Sequence, residues 1–457
     1  MHPRKRQRRR SSVAAPLEPE PVLPPDVLLE IVARSDAATL VRCAASCKPL
    51  RREILRPAFI RRVCHEPEGV VPPRLLGFLR LGHDHRDKVH GPGPPVGFSL
   101  AHPATPAAES FSQKHLAPLL SRNAAVAKLL NRGGDRPLTS RNGLVLLYGG
   151  FYSAPSGRRP PSFPHMCVYD PMAGNLATFC GAPGIYPSCT PCTFVLLTAA
   201  DGIGCSFLVV VVDFTGLMDA SGSIKIQTMS ADDAAAGGTW APSTSVRHPR
   251  AQQGSSSTLH GRSRLAVVVL GGFVHWLMHE LKRNSPPPYG MHILTYHVGT
   301  ATVGTIELPT ATDGLPISES KGRDLHLASS PDGRLSLVVM DRQPLTISIW
   351  LLSGSDGWAR HAVIDAEANL RSLLDQPLSR RGLHDTDNNR VCFASSSWGK
   401  SDAVLLKRSP VGPDVDEERR LIVLDVETEE MWTNTTKWSA FPYEVDLESR
   451  LSAMKTF

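Results

Sequence analysis

Residues 23–62 read LPPDVLLEIVARSDAATLVRCAASCKPLRREILRPAFIRR, and the spacing of their apolar side chains predicts three short helices. Pro25 suits the first turn of a helix, because the N–H group that proline lacks would have no partner there. Asp36 is a favourable N-cap for the second helix. Pro57 is expected to end the third helix.

Three short helices in some forty residues cannot bury a self-sufficient core. Apolar side chains left on their surface, such as Leu28 and Ile31, would each gain roughly 1.5–3 kcal/mol from complete burial. The segment therefore needs a partner, which is either a downstream domain of the same chain or a second protein.

The segment resembles the F-box. The matching residues are Leu23, Pro24, Asp26, Leu28, Ile31, Arg34, Leu40, Cys43, Ser46, Cys47, Lys48, Arg51, Ile54 and Phe59. F-box proteins use these helices to dock on a Skp-family adaptor, which joins them to a cullin ubiquitin ligase. The resemblance implies a substrate-recognition subunit of an SCF-type ligase, with a target protein that the sequence does not identify. The expected adaptor-binding residues are Leu23, Pro24, Val27, Leu28, Ile31, Val32, Leu40, Cys43, Leu50 and Ile54.

A basic tail precedes the helices and carries most of the formal net charge of +7. Residues 1–20 are rich in Arg, Pro and Glu, which predicts disorder. Their basic run resembles a nuclear localisation signal and consists of Arg4, Lys5, Arg6, Arg8, Arg9 and Arg10. The alternatives are a solvated tail or a contact with nucleic acid through phosphate neutralisation. The remaining chain is nearly neutral, so nucleic acid is not expected to be its main partner.

The 39 prolines and 36 glycines favour turns and short strands over long helices. From residue 142 onward, short apolar runs alternate with turn residues, which predicts an antiparallel all-β domain. The predicted strands are 144–148, 166–169, 193–198, 207–212, 224–229, 265–270, 274–278, 292–296, 335–340, 346–352, 391–395 and 421–426.

A loose repeat connects these strands. One half is an apolar strand after a turn, as in NGLVLLYGG, GGFVHWLM and DGRLSLVVM; the other is a strand, a turn and a strand, as in MCVYDPMAGNLATF and LIVLDVETEEMW. Such units bury their faces on their neighbours, which predicts a β-propeller of undetermined blade number. The combination resembles the plant F-box families that carry an F-box-associated, kelch-like C-terminal domain, over residues 142–148 with 168–174 and 332–340 with 349–358.

The expected organisation is multidomain, with an α part followed by an all-β part. Residues 1–20 form the tail, 21–64 the three-helix F-box, 65–130 a linker with docking helices, and 131–457 a propeller-like domain that binds the target. Within the linker, residues 75–78 are expected to dock on the propeller, and residues 116–130 are expected to be helical.

Motifs for catalysis, metals and cofactors are weak. Cys189 and Cys192 form a single C-x-x-C without a second pair, and His83, His85 and His90 lack the ligand set of a metal site. We therefore expect no cofactor, no metal and no catalytic residue. No apolar run is long enough for a membrane span, and the scattered cysteines favour a reducing compartment, the nucleus or the cytoplasm. The alternative function is a scaffold whose basic tail contacts nucleic acid.

Overall fold

The structure of the 457-residue chain is a computed structural model. The described residues are 23–65, 75–81, 96–101, 105–116, 136–149, 165–185, 191–218, 221–249, 256–259, 267–281, 291–309, 323–330, 332–342, 345–354, 357–373, 391–393, 403–408, 421–425, 429–434 and 440–454.

Four helices open the described chain: α1 Pro25–Ala33, α2 Ala37–Ser46, α3 Lys48–Ile54 and α4 Pro57–His65. The first three match the sequence pattern, and Asp36 caps α2 by accepting a hydrogen bond from the Thr39 amide at 2.8 Å. Pro57 does follow the end of α3, but it also begins α4, which the pattern did not predict. Proline tolerates this position because the first turn of a helix has no intrahelical acceptor for its amide.

The strands form six antiparallel sheets, the blades of a propeller. Blade 1 contains β3 Arg136–Arg141, β4 Leu144–Gly149, β5 His165–Asp170 and β6 Asn175–Cys180. Blade 2 contains β7 Cys192–Thr198, β8 Phe207–Asp213, β9 Ser223–Ser230 and β10 Thr244–Arg247. Blade 3 contains β11 Ser256–Leu259, β12 Val267–Leu270, β13 Phe273–Leu281, β14 Met291–His297 and β15 Thr302–Glu307.

Blades 4 and 5 follow in sequence. Blade 6 combines two strands that precede blade 1 with one strand that follows blade 5. Blade 4 contains β16 Arg323–Ser329, β17 Leu335–Arg342, β18 Leu345–Ser353 and β19 Gly357–Asp365. Blade 5 contains β20 Val391–Phe393, β21 Ala403–Arg408, β22 Leu421–Asp425 and β23 Met431–Asn434. Blade 6 contains β1 Leu75–Leu81, β2 Val96–Leu100 and β24 Ala440–Glu444, with β1 paired to both others.

Short helices lie between the strands. They are α5 Pro106–Phe111, which continues into a π-helical turn at Ser112–Leu116, a 3₁₀ turn at Ala199–Asp201, α6 Thr215–Met218, α7 Ala231–Ala235, α8 Ala366–Leu373 and α9 Leu447–Ala453. The last of these, α9, contacts both α2 and α4. The C-terminal helix therefore lies between the N-terminal helices and the propeller.

Neighbouring blades pack on each other through shared apolar cores, because the middle strands of each blade are apolar on both faces. In β4, Leu144 and Leu146 pack towards blade 2, whereas Val145 and Leu147 pack towards blade 6 and the helices. The same alternation in β17 sends one set of side chains to blade 3 and the other to blade 5. Successive side chains of a strand point to opposite faces, so each middle strand contributes to two cores.

The predicted propeller is confirmed, and the described strands form six blades. Each of the twelve predicted strands overlaps an observed one. The repeat also has a structural basis. The quoted single strands, β4, β13 and β17, each lie inside a blade between two partner strands, and the quoted hairpins, β5–β6 and β22–β23, each join an inside strand to the outer edge strand. Residues 75–81 and 96–100, expected in the linker, are strands of blade 6. Of the helix expected at 116–130, only Leu116 lies within the described residues.

Candidate protein-docking surface

Helix α1 and the residue before it carry an uncovered apolar surface, here called the α1 patch: Leu23, Val27, Leu28 and Ile31. Their exposed fractions are 54%, 45%, 36% and 50%. Among the described residues, six large hydrophobic side chains are this exposed, and four of them form the patch. Such a concentration on one short helix is typical of a protein-binding surface.

The opposite side of the helical segment is buried within this chain. Val32, Leu40 and Ile54 are 2%, 0% and 0% exposed, and they share one core with Leu76 of blade 6 and Val145 of blade 1. These three predicted adaptor-binding residues therefore contact the chain's own core, and their role in this structure is to hold the α1 patch in place.

The remaining predicted adaptor-binding residues are Pro24, Cys43 and Leu50. Pro24 is exposed beside the α1 patch, whereas Cys43 and Leu50 are half-buried at the edge of the core. Burial raises the pKa of the Cys43 thiol, with a smaller contribution from nearby Cys47. Cys43 therefore remains a neutral, weakly polar side chain at neutral pH, which suits a packing role.

The α1 patch lies in a basic setting. Residues 23–65 contain eight Lys and Arg residues against four Asp and Glu residues, a net charge of +4. Glu30 of α1 accepts hydrogen bonds from Arg62 of α4 at 2.8 and 3.0 Å and from Arg34 at 2.9 Å. The hydrogen bond from Arg62 is the main reason that the pKa of Glu30 is lowered. A partner with an acidic rim would complement this surface.

The helical segment also makes polar contacts with the propeller side of the molecule. Arg42 of α2 donates to the carbonyl oxygen of Met172 in the β5–β6 turn at 2.8 Å. Asp36 lies 3.5 Å from the Lys114 ammonium and 3.8 Å from the His115 imidazole. Burial lowers the pKa of His115 despite the opposing effect of Asp36. Together with the shared core, these contacts fix the direction in which the α1 patch faces.

Hydrogen bonds close the propeller where blade 1 meets blade 6. Asn142 and Gly143 form the β3–β4 turn with positive φ values of 46° and 83°, as a tight hairpin requires. The Gly143 amide donates to the Glu444 carbonyl oxygen at 2.7 Å, and the Tyr443 hydroxyl donates to the Gly143 carbonyl oxygen at 3.0 Å. The turn therefore joins the first blade to the last strand.

A buried ion pair connects three blades at the same end of the propeller. Arg141 of β3 donates to Asp201, which follows β7, at 2.6 and 2.9 Å, and to the Val269 carbonyl oxygen of β12 at 3.0 Å. Burial alone would raise the pKa of Asp201, but Arg141 outweighs it and lowers that pKa. The pair therefore remains charged at neutral pH.

Several sequence expectations fall outside the described residues. They are the basic run Arg4, Lys5, Arg6, Arg8, Arg9 and Arg10, the histidines His83, His85 and His90, and Cys189. The part of the chain that the structure covers contains no group of three His, Cys, Asp or Glu side chains able to hold a metal ion. In the same residues, no helix combines the length and apolar character that crossing a membrane requires.

Comparison with family models divides the chain in the same way as the structure. An F-box-like family model matches residues 21–66, the segment that contains the four N-terminal helices. The model described as Domain of unknown function (DUF7595) matches residues 112–457 and covers most of the chain. No curated protein matches the sequence significantly.

Solved structures resemble the chain only distantly. AofleA from Arthrobotrys oligospora has 12% identity and a TM-score of 0.30, over 64% of this chain and 67% of its own. An α-L-arabinanase of Penicillium chrysogenum, complexed with arabinobiose, has 12% identity and a TM-score of 0.32, over 64% and 76%. The polysaccharide lyase Uly1 has 10% identity and a TM-score of 0.33, over 64% and 58%. These scores are too low to support a functional argument. The family match over residues 112–457 shows that the chain belongs to the DUF7595 family, and an F-box-like domain precedes that match.

Proposed function

We propose that this protein is the substrate-recognition subunit of an SCF-type ubiquitin ligase. The observation that carries the proposal is the α1 patch, an uncovered apolar surface on helices that match the F-box-like model. The same helices are firmly joined to a propeller, a fold whose loop-bearing ends commonly bind other molecules. An adaptor would cover the patch, and the propeller would hold a target protein.

The adaptor contact divides the predicted residues into two groups. Leu23, Pro24, Val27, Leu28 and Ile31 are exposed and would touch the adaptor directly, with Cys43 and Leu50 at the margin. Val32, Leu40 and Ile54 would act indirectly, because they anchor the helices to the core. The surrounding positive charge would steer an adaptor with an acidic rim and would make its association rate salt-dependent.

The contribution to ubiquitin transfer would be proximity. Holding the target and the ubiquitin-charged enzyme in one complex makes their encounter effectively intramolecular. Because the helices and the propeller share one core, the target would be held at a defined distance and orientation from the adaptor. The receptor itself would need no catalytic residue or cofactor. The proposed compartments are the nucleus and the cytoplasm, with the basic run at residues 4–10 as the import signal.

Co-purification with a Skp-family adaptor tests the docking step. Leu28→Asp and Ile31→Asp should abolish it, because burying an unpaired carboxylate in an apolar interface costs several kcal/mol. Val363→Asp is the matched control, since Val363 is an equally exposed apolar residue (51%) on β19 of blade 4. Retention of the adaptor by both patch variants would refute the docking assignment.

Ligase function needs its own test, because a scaffold could also bind an adaptor. Proteins captured by the full chain in cells would be compared with those captured by the Ile31→Asp variant, which leaves the propeller intact. Targets of a substrate receptor should bind both forms but should be ubiquitinated only with the wild type. Equal ubiquitination with both forms would argue for a scaffold.

A further inference from the structure

Helix α3 and the turn after it carry a row of exposed basic side chains, here called the α3 ridge: Lys48, Arg52 and Arg56. Lys48 and Arg52 are four residues apart in the helix, and such residues are neighbours on one face. Arg56 extends the row, because its amide still donates to the Glu53 carbonyl oxygen at 3.2 Å. The ridge therefore presents three cations in succession, with about 6 Å of helical rise between the first two.

Contacts within the chain neutralise only one of these cations. Arg56 pairs with Glu53 at 2.7 Å, whereas Lys48 and Arg52 have no ion pair among the described residues. Like charges four residues apart on a helix repel each other and slightly destabilise it. The arrangement therefore does not serve the stability of α3, and an anionic partner would supply the missing counter-charge.

Positive charge is concentrated at this end of the sequence. Residues 1–65 contain 14 Lys and Arg residues against six Asp and Glu residues, whereas residues 66–457 contain 36 against 37. The N-terminal 65 residues therefore hold a net charge of +8, and the remaining chain holds −1. A basic N-terminal arm together with a basic helix is the charge pattern of proteins that bind the phosphate backbone of nucleic acids.

The regular spacing of the ridge favours a nucleic acid over an acidic protein segment. A nucleic-acid strand carries one phosphate per nucleotide, so its charges recur at a constant interval. Guanidinium groups bind phosphate through two parallel hydrogen bonds, and an ammonium group binds it as a point charge. We propose that the α3 ridge binds the phosphate backbone of a nucleic-acid strand. Backbone contacts of this kind position a strand but do not read its sequence.

This activity goes beyond adaptor docking and does not rest on it. The ridge consists of charged side chains on α3 and the following turn, whereas the α1 patch consists of apolar side chains on α1 and the residue before it. A substitution in the ridge removes charge without changing the patch, and a neutral substitution in the patch leaves the charge of the ridge intact. The two surfaces can therefore be tested separately.

The test measures the fluorescence anisotropy of a labelled oligothymidine that is titrated with the full chain at several salt concentrations. The ridge variant combines Lys48→Gln with Arg52→Gln. Its matched control combines Lys225→Gln with Arg247→Gln, because these two exposed residues lie on the paired strands β9 and β10 of blade 2 and carry the same two charges. A third variant, Lys48→Arg with Arg52→Lys, keeps both charges on the ridge. Thermal unfolding checks that each variant is folded.

We expect saturable binding that weakens with salt, with a slope of about 0.7 in log Kd against log salt for each neutralised phosphate. The ridge variant should lose two such contacts, so its slope should fall by about 1.4 and its Kd at about 50 mM salt should rise at least tenfold. The control variant and the charge-preserving variant should stay within about threefold of the wild type. Ile31→Ala should bind as the wild type does, because it changes no charge.

Absence of saturable oligothymidine binding would overturn the proposal, and so would an unchanged Kd in the ridge variant. An equal loss of binding in the control variant would show a general effect of net charge and would also overturn it. Tighter binding of poly-L-glutamate than of oligothymidine, at equal concentrations of charge, would assign the ridge to an acidic protein instead.

Discussion

The α1 patch allows a quantitative prediction at Ile31, which is 50% exposed. Complete burial of such a side chain is worth roughly 1.5–3 kcal/mol, so covering its exposed half would contribute about 0.8–1.5 kcal/mol to adaptor binding. Ile31→Ala should therefore raise the Kd about 4–12-fold. Ile31→Asp adds the desolvation of a carboxylate, which costs several kcal/mol, and should raise the Kd by more than about 100-fold.

Calorimetric titration of each purified variant with a purified Skp-family adaptor would measure these changes. The free energy of unfolding should fall by no more than about 1.5 kcal/mol, because half of Ile31 is already buried in the folded chain and the same burial rule applies to that half. Val363→Asp, with almost the same exposure on blade 4, should lower the free energy of unfolding to a similar extent but leave the adaptor Kd unchanged. If Ile31→Asp bound the adaptor within threefold of the wild type, the α1 patch could not be the docking surface.

Three further predictions concern the anchoring of the patch and the closure of the ring. Leu40→Ala should cost about 2–5 kcal/mol in urea unfolding, because Leu40 is fully buried, while the adaptor Kd of the folded fraction changes little. Asp201→Asn should cost about 3–5 kcal/mol at pH 7 by removing the carboxylate that pairs directly with buried Arg141. Since the pKa of Asp201 is lowered on folding, this contribution exists above the unfolded pKa of about 4 and disappears as the pH falls through the folded value. The gap between the unfolding curves of wild type and Asp201→Asn should therefore close in acid; a constant gap would contradict the ion pair. Gly143→Ala should be more destabilising than Gly333→Ala, because both have positive φ but only the first brings its new Cβ to 2.9 Å from Met172; equal melting temperatures would contradict that packing.

The strands that sequence patterns predicted best are the middle strands of the blades. β8 and β17, for example, are buried on both faces and read as continuous apolar runs. The outer strands β6, β15 and β19 consist mainly of exposed and half-buried residues, so their sequences resemble polar loops. The sequence pattern therefore identified the fold but predicted only about half of the described strands.

Blade number could not be predicted because blade 6 is not continuous in sequence. Its inner strand, β24, lies more than three hundred residues after its partner β1. The apolar sequence of β1 indicated that it packs on the propeller, but local periodicity carries no information about a strand pairing over that distance. The preceding helices made a linker the simplest interpretation of residues 65–130.

The predicted adaptor-binding residues coincide with the exposed α1 patch only in part. Helical periodicity placed Leu28 and Ile31 on an apolar face and also selected Leu40, but it could not tell which of them meets this chain's own core. The junction of blades 1 and 6 was not predicted, because Gly143 and Tyr443 lie 300 residues apart in the sequence and meet only in the folded chain.

The position of β24 also determines when the molecule can be completed during synthesis. A ribosome adds about 5–20 residues per second, so β1 leaves the ribosome roughly 20–70 s before its partner β24 exists. Throughout that interval, one long edge of β1 has unpaired backbone groups beside an apolar face. The exposed edge of β1 can therefore pair with other chains until β24 has left the ribosome.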